Sequence, residues 1–221
     1  MGIKAGPRIV TDGLIFDLDA AVSRSYSGSG TSVNSLIGSA YGTLVNGTGF
    51  TSTNNGNFTF NSGAGHYINI SNNNFIYGTS ARTVMSWSKI SSNDGSTHAS
   101  FSYGTVGTNQ AFFIGIYGLN PFCGAWANDL TAGNTNVSLD TWFHTACVYD
   151  GTTAYLYVAG ILTTYATKAW NTVSNNAFIG RQVDTGQYWN GNIAQIHLYN
   201  RALSAAEIKQ NYNATKKRYG L

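Results

Sequence analysis

The segment from Trp142 to Val158 constrains this chain more than any other. An apolar run, Trp142 to Tyr149, meets Asp150-Gly151, and a second run, Ala154 to Val158, follows at once. An Asp-Gly pair between two strand-like runs predicts a tight antiparallel hairpin, because glycine readily takes the positive φ such turns need. The rest of the chain repeats the theme. Short apolar runs recur between clusters of Gly, Asn, Asp and Ser, which is the signature of many short strands in a sandwich or barrel.

The alternation of side chains supports this. Leu14, Phe16 and Leu18 alternate with Ile15, Asp17 and Asp19, and Met85 and Trp87 alternate with Ser86 and Ser88. Both read as half-buried strands. Ala194, Ile196 and Leu198 alternate with Gln195, His197 and Tyr199 as a late strand with one core face. Ala111 to Tyr117 is apolar throughout, as expected of a strand buried on both faces. One helix is expected, over about Ala205 to Thr215. Ser204 and Glu207 have the spacing of a capping box, and Leu203 before the cap can staple onto Ile208. Ile208 and Tyr212 share the face that should dock.

Composition agrees with a single all-β unit. The 221 residues are 43% hydrophobic and 14% aromatic, but only 10% are charged, against about 25% in ordinary soluble domains. Such hydrophobicity excludes disorder. No linker, repeat or boundary divides residues 1–221, so one domain is expected, with an N-terminal arm at 1–11 and a C-terminal helix and basic tail at 204–221. A formal net charge of +3 does not suggest a nucleic-acid partner. The Lys216-Lys217-Arg218 cluster reads as a solvated end or as a contact for an acidic partner surface. No apolar run is long enough for a membrane span, and the start of the chain lacks the apolar core of a signal peptide. Synthesis in a cytoplasm follows as an expectation. Cys123 and Cys147 are too few for a disulfide scaffold; one bridge between them depends on a distance that sequence does not give, and buried free thiols are the favoured expectation.

Taken together, the segments resemble a known family. Asp140-Thr141-Trp142-Phe143-His144-Thr145-Ala146, through Asp150-Gly151-Thr152-Thr153 to Tyr155-Leu156-Tyr157-Val158 and Gly160, looks like the central hairpin of LamG/pentraxin-like domains of the concanavalin A-like lectin/glucanase superfamily. Phe178-Ile179-Gly180-Arg181, Tyr188-Trp189-Asn190-Gly191-Asn192-Ile193 and Leu198-Tyr199-Asn200-Arg201-Ala202-Leu203-Ser204 with Glu207-Ile208 look like its closing strands and terminal helix. Gly13 to Ala21 and Gly42 to Gly47 extend the match, which covers about residues 12 to 215. The resemblance implies an all-β, two-sheet antiparallel jelly-roll sandwich with one short C-terminal helix. The Tyr212-Asn213-Ala214 and Lys216 to Leu221 ending resembles versions carried by tailed bacteriophages. It therefore implies a virion structural protein, either a capsid decoration or a tail or fibre component, made in a host and held on the virion surface by other virion proteins and homo-oligomer contacts. A free lectin module is the alternative. The family's acidic loop is replaced here by Phe60-Asn61-Ser62-Gly63-Ala64-Gly65-His66-Tyr67, which has no carboxylates.

Chemistry is sparse. Glycoside hydrolysis usually needs two flanking carboxyl groups, but the chain's one glutamate, Glu207, sits in the expected helix cap. Asp17 and Asp19 lie on one face of a strand, about 7 Å apart from the strand rise. They can cap backbone or face solvent, share a calcium ion, or act as a catalytic pair. Asp184, in the Gln182 to Gln187 loop, is a further candidate calcium ligand. The scattered histidines lack metal-site spacing, and His144 reads as a core residue. No nucleophile elbow or phosphate-binding glycine loop is present. A non-enzymatic reading follows. Sugars stack on aromatic faces that carry a polar edge, so Tyr117, Trp126, Trp170, Tyr188 and Trp189 are the candidate carbohydrate contacts, with core packing as their alternative use.

Overall fold

The computed structural model describes residues 7–71, 74–183 and 186–221. In chain order the strands are β1 Leu14–Asp19, β2 Ser32–Asn34, β3 Tyr41–Val45, β4 Gly49–Thr51, β5 Asn57–Phe60, β6 Tyr67–Ser71, β7 Arg82–Ile90 and β8 Thr97–Gly104. There follow β9 Ala111–Tyr117, β10 Asn120–Gly124, β11 Leu130–Thr131, β12 Phe143–Tyr149, β13 Thr153–Val158, β14 Ile161–Thr167, β15 Ala177–Ile179 and β16 Gly191–Tyr199. Helix α1, Ala205–Thr215, and a 3-10 turn, Lys216–Tyr219, complete the chain.

The strands form two antiparallel sheets. The first has the order β14-β13-β12-β7-β16-β5-β4, with β1 also on β16; the second has the order β11-β10-β9-β8-β15-β6-β3-β2. One edge of β16 is shared: β5 pairs with Gly191 to Ile193 and β1 with Gln195 to Tyr199. A register shift between Ile193 and Gln195 marks the handover. An extra residue there bends the strand and lets two partners share one edge.

The expected hairpin forms. β12 and β13 pair from Tyr149 opposite Ala154 to Thr145 opposite Val158. Gly151 takes φ +106°, and Asp150 Oδ1 accepts from the Thr152 and Thr153 backbone N–H groups at 2.9 and 2.8 Å. Between the sheets lies an aromatic core that includes Phe16, Phe58, Phe101, Tyr103, Phe112, Trp170 and Trp189. Cys123 and Cys147 are buried and unbonded.

The second face of the first sheet is buried as well. Helix α1 begins with the expected capping box: Ser204 Oγ accepts from Glu207 N–H, and Glu207 Oε2 accepts from Ser204 N–H. Leu203 and Ile208 pack in one cluster with Leu14, Met85, Ala146, Val148, Tyr157 and Tyr199. Tyr212 and Tyr219 pack with Trp87 and Ala194. Tyr219 stacks on Trp87 at a centroid distance of 4.1 Å, and Trp87 Nε1 donates to Thr215 Oγ1 at 2.8 Å. Met85 and Trp87 therefore face the helix. Ser86 and Ser88, hydrogen-bonded to each other, lie in the same row as Val84 and Ile90 on the inter-sheet side. The three strands read as half-buried are covered on both faces, because the C-terminal segment lies over their outer side.

Candidate functional site

The five aromatic candidates separate. Trp170 and Trp189 are fully buried. Trp170 packs on Phe112 and Tyr149 and donates its indole N–H to Asn128 O at 2.8 Å. Trp189 packs on Phe143 and donates to Lys89 O at 3.1 Å. Both are corrected to core residues, since each ring is enclosed and each polar edge is satisfied internally. Tyr117 is exposed at the end of β9. Trp126 is half-buried against Ala99, Ala111, Phe113 and Phe122. Tyr188 is half-buried, with its ring 6.2 Å from Tyr67. No ring contact joins these three residues to one another.

The carboxylate candidates are also accounted for. Asp17 and Asp19 do share the outer face of β1, but that face is covered. Asp19 Oδ1 lies 2.6 Å from Arg218 Nη1, and Gln195 Nε2 donates to Asp19 Oδ2 at 2.5 Å. Asp17 Oδ1 approaches His197 Nε2 at 3.3 Å. A guanidinium thus stands at Asp19 where the calcium reading needed a cation, and Asp19 is corrected to a structural partner; Asp17 is buried beside His197, and its Oδ1 makes no hydrogen bond among the described residues. Arg218 is likewise no solvated tail residue. Asp184 lies outside the described residues, and among those described no cluster of three His, Cys, Asp or Glu is placed to hold a metal ion.

A different place is built as a site. A groove of about 340 Å³ opens on the outer face of the first sheet, between the β12–β13 hairpin and the start of α1. Val148, Tyr155 and Tyr157 line one side, and Ala202, Leu203, Ser204 and Ala205 the other. Asp150 and Glu207 supply its two carboxylates. Tyr155 donates its hydroxyl to Asp150 Oδ2 at 3.2 Å, and its ring stacks on exposed Tyr165 at 5.9 Å and 24°. Glu207 is held by Arg201 through bonds of 2.6 and 3.1 Å, which with Ser204 hold its carboxyl down to about 2. Burial works against ionisation of Asp150, but hydrogen bonds from Thr153, Thr152 and Tyr155 outweigh it and keep that carboxyl below its ordinary range. The groove therefore combines an apolar floor, aromatic walls and a fixed anionic acceptor, which is the chemistry that holds a polyhydroxylated ring.

Sequence reasoning missed this groove. The tyrosines fall in a Tyr155-Leu156-Tyr157 alternation that satisfies a strand pattern, and Asp150 satisfies a turn pattern. The available signal was that both tyrosines share a face beside an edge strand, Ile161–Thr167, that carries no charge.

Comparison with known proteins agrees with this architecture. The Laminin_G_3 model, described as the concanavalin A-like lectin/glucanases superfamily, matches residues 61–209. No curated protein sequence matches the chain. Among solved structures, the binding domain of Paraclostridial Mosquitocidal Protein 1 superposes with a TM-score of 0.70 at 16% identity, over 91% of this chain and 52% of that one. Domain 4 of AbnA, a GH43 extracellular arabinanase from Geobacillus stearothermophilus in complex with arabinotriose, gives 0.62 at 12% identity, over 90% and 98%. Trypanosoma rangeli sialidase in complex with sialic acid gives 0.66 at 13% identity, over 95% and 34%. The chain spans about half the length of the toxin binding domains it matches. At these identities the likeness is one of fold.

Proposed function

This chain belongs to the concanavalin A-like lectin/glucanase superfamily, and we propose that it is a non-catalytic glycan-binding domain displayed on a phage-type particle. The observation that carries the binding role is the groove of Tyr155, Tyr157 and Asp150 beside α1. Its volume suits one or two sugar rings. Similar folds occur in an arabinanase domain bound to arabinotriose and in a sialidase bound to sialic acid.

The groove's two carboxylates argue against hydrolysis. A glycosidase needs one carboxyl kept protonated as general acid, with a raised pKa. Asp150 and Glu207 are both shifted downward, and Glu207 is spent on Arg201 and the helix cap. The particle role rests on the phage-like ending of the chain. In this reading the domain sits on the virion surface, as a capsid decoration or a tail or fibre component, held by other virion proteins and by homo-oligomeric contacts.

A glycan array tests the binding role. Wild-type protein should bind, and Tyr155→Ala and Tyr165→Ala should each weaken binding at least about tenfold, as removal of a stacking aromatic does. An empty array, or variants that bind as wild type does, would overturn the groove assignment. Mass spectrometry of purified particles tests the location. Many copies on the head or tail are expected, whereas glycan binding with no particle association would make the domain a free lectin.

A further inference from the structure

We propose that the Asp150 groove selects glycans bearing a free amino group over their N-acetylated and acidic counterparts. This rests on the glycan-binding reading of the same groove and goes on to name the chemistry of its ligand.

The argument is an inventory of charge. Two carboxylates line the groove, and they are not equivalent. Glu207 is matched by Arg201, whose guanidinium bonds both of its oxygens, and Glu207 Oε2 also accepts from Ser204 N–H and Ser204 Oγ. Its charge and its lone pairs are used. Asp150 receives only neutral donors. Oδ1 accepts from Thr152 N–H, Thr152 Oγ1 and Thr153 N–H, and Oδ2 accepts from the Tyr155 hydroxyl alone, at 3.2 Å. Among the described residues no cation forms an ion pair with Asp150. The groove thus carries one unanswered negative charge, on an oxygen with a lone pair to spare.

The surroundings strengthen the preference. Tyr155 and Tyr165 make a stacked aromatic pair beside that carboxylate, and an ammonium placed over a tyrosine face is attracted by the ring quadrupole. An amino sugar can put its ammonium between Asp150 and the tyrosine wall while its ring lies over Val148 and Leu203. N-acetylation removes the charge and adds bulk. A uronic or sialic acid brings a like charge toward Asp150.

Binding is measured by isothermal titration and amide NMR, using tetramers of glucosamine, N-acetylglucosamine and galacturonic acid at mildly acidic pH. The amino and N-acetyl forms of any other backbone that the array returns are treated in the same way. At about 50 mM salt the amino form should bind about tenfold tighter than the N-acetyl form, with the acidic tetramer weakest. Raising salt to about 500 mM should shrink the preference in the wild-type protein. Asp150→Asn, which keeps an acceptor for the Thr152 and Thr153 amides, should abolish it. An N-acetylated or acidic glycan that binds as tightly as the amino form would sink this inference and leave the groove as a glycan site. So would an amine preference that survives Asp150→Asn. No binding by any glycan would remove both readings together.

Discussion

Arg218 closes on Asp19. Its Nη1 lies 2.6 Å from Asp19 Oδ1, which joins the last turn of the chain to the end of its first strand. The same guanidinium donates to the carbonyls of Asn54, at 2.7 Å, and Gly56, and Asn54 Oδ1 in turn accepts from Trp142 Nε1 at 3.1 Å. The side chains of the pair are 11% and 15% exposed, so the charges have little access to water. Losing one member strands the other. Arg218→Ala should cost about 1–3 kcal/mol and speed amide exchange across Lys216 to Leu221. Chemical denaturation and hydrogen exchange measure both, and an unchanged midpoint would show that the pair contributes no net stability.

The aromatic residues should divide sharply under substitution. Trp170→Ala or Trp189→Ala removes a fully enclosed indole and should destabilise by about 3–5 kcal/mol. Tyr117→Ala removes an exposed ring and should stay within about 0.5 kcal/mol. Urea unfolding of the three variants provides the comparison.

Acid should loosen the fold before its carboxylates titrate. Burial pushes His144 down to about 3, and the charge of nearby His197 adds to this. The ring packs edge-on against Trp87 at 5.2 Å and beside Tyr212 at 5.6 Å. The unfolded chain takes up this proton near pH 6.5, but the folded chain does not until about pH 3. The stability from the neutral ring is complete above pH 6.5 and is lost as pH falls toward 3, at about 1 kcal/mol per pH unit. Glu207, held down to about 2, adds to the loss only in more acid solution. Unfolding free energies between about pH 6.5 and 5 should fall in the wild type and flatten in His144→Gln. Equal slopes would refute the assignment.

Cys123 and Cys147 should be inert in the native protein. Both side chains are buried, and burial beside Cys147 pushes the Cys123 thiol well above its ordinary range. The reactive species is the thiolate. Iodoacetamide should label neither residue until denaturant unfolds the chain, and rapid native labelling would contradict this packing.

Much of the architecture was legible in local pattern. The Asp150-Gly151 hairpin, the buried run at Ala111–Tyr117 up to its exposed last residue and the capped helix Ala205–Thr215 follow from spacing and turn chemistry, and composition favours the free state of the two cysteines over a single bridge. The site was far less legible. Trp170 and Tyr117 belong to the same residue class, and nothing local shows that one closes the inter-sheet core while the other faces solvent. Asp17 and Asp19 have the spacing of a ligand pair, but the cation that reaches Asp19 comes from 199 residues away in the sequence.

The sequence by itself determined the elements, because strand alternation, glycine turns and helix caps act over a few neighbouring residues. Only the tertiary structure decided what each polar side chain is for. The C-terminal segment folds back over the first sheet, covers Asp17, Asp19, His144 and His197, and stops short of Tyr155 and Asp150. That boundary leaves a groove where the hairpin meets the helix start. It arises from long-range packing of Ile208, Tyr212 and Tyr219, which no local pattern encodes.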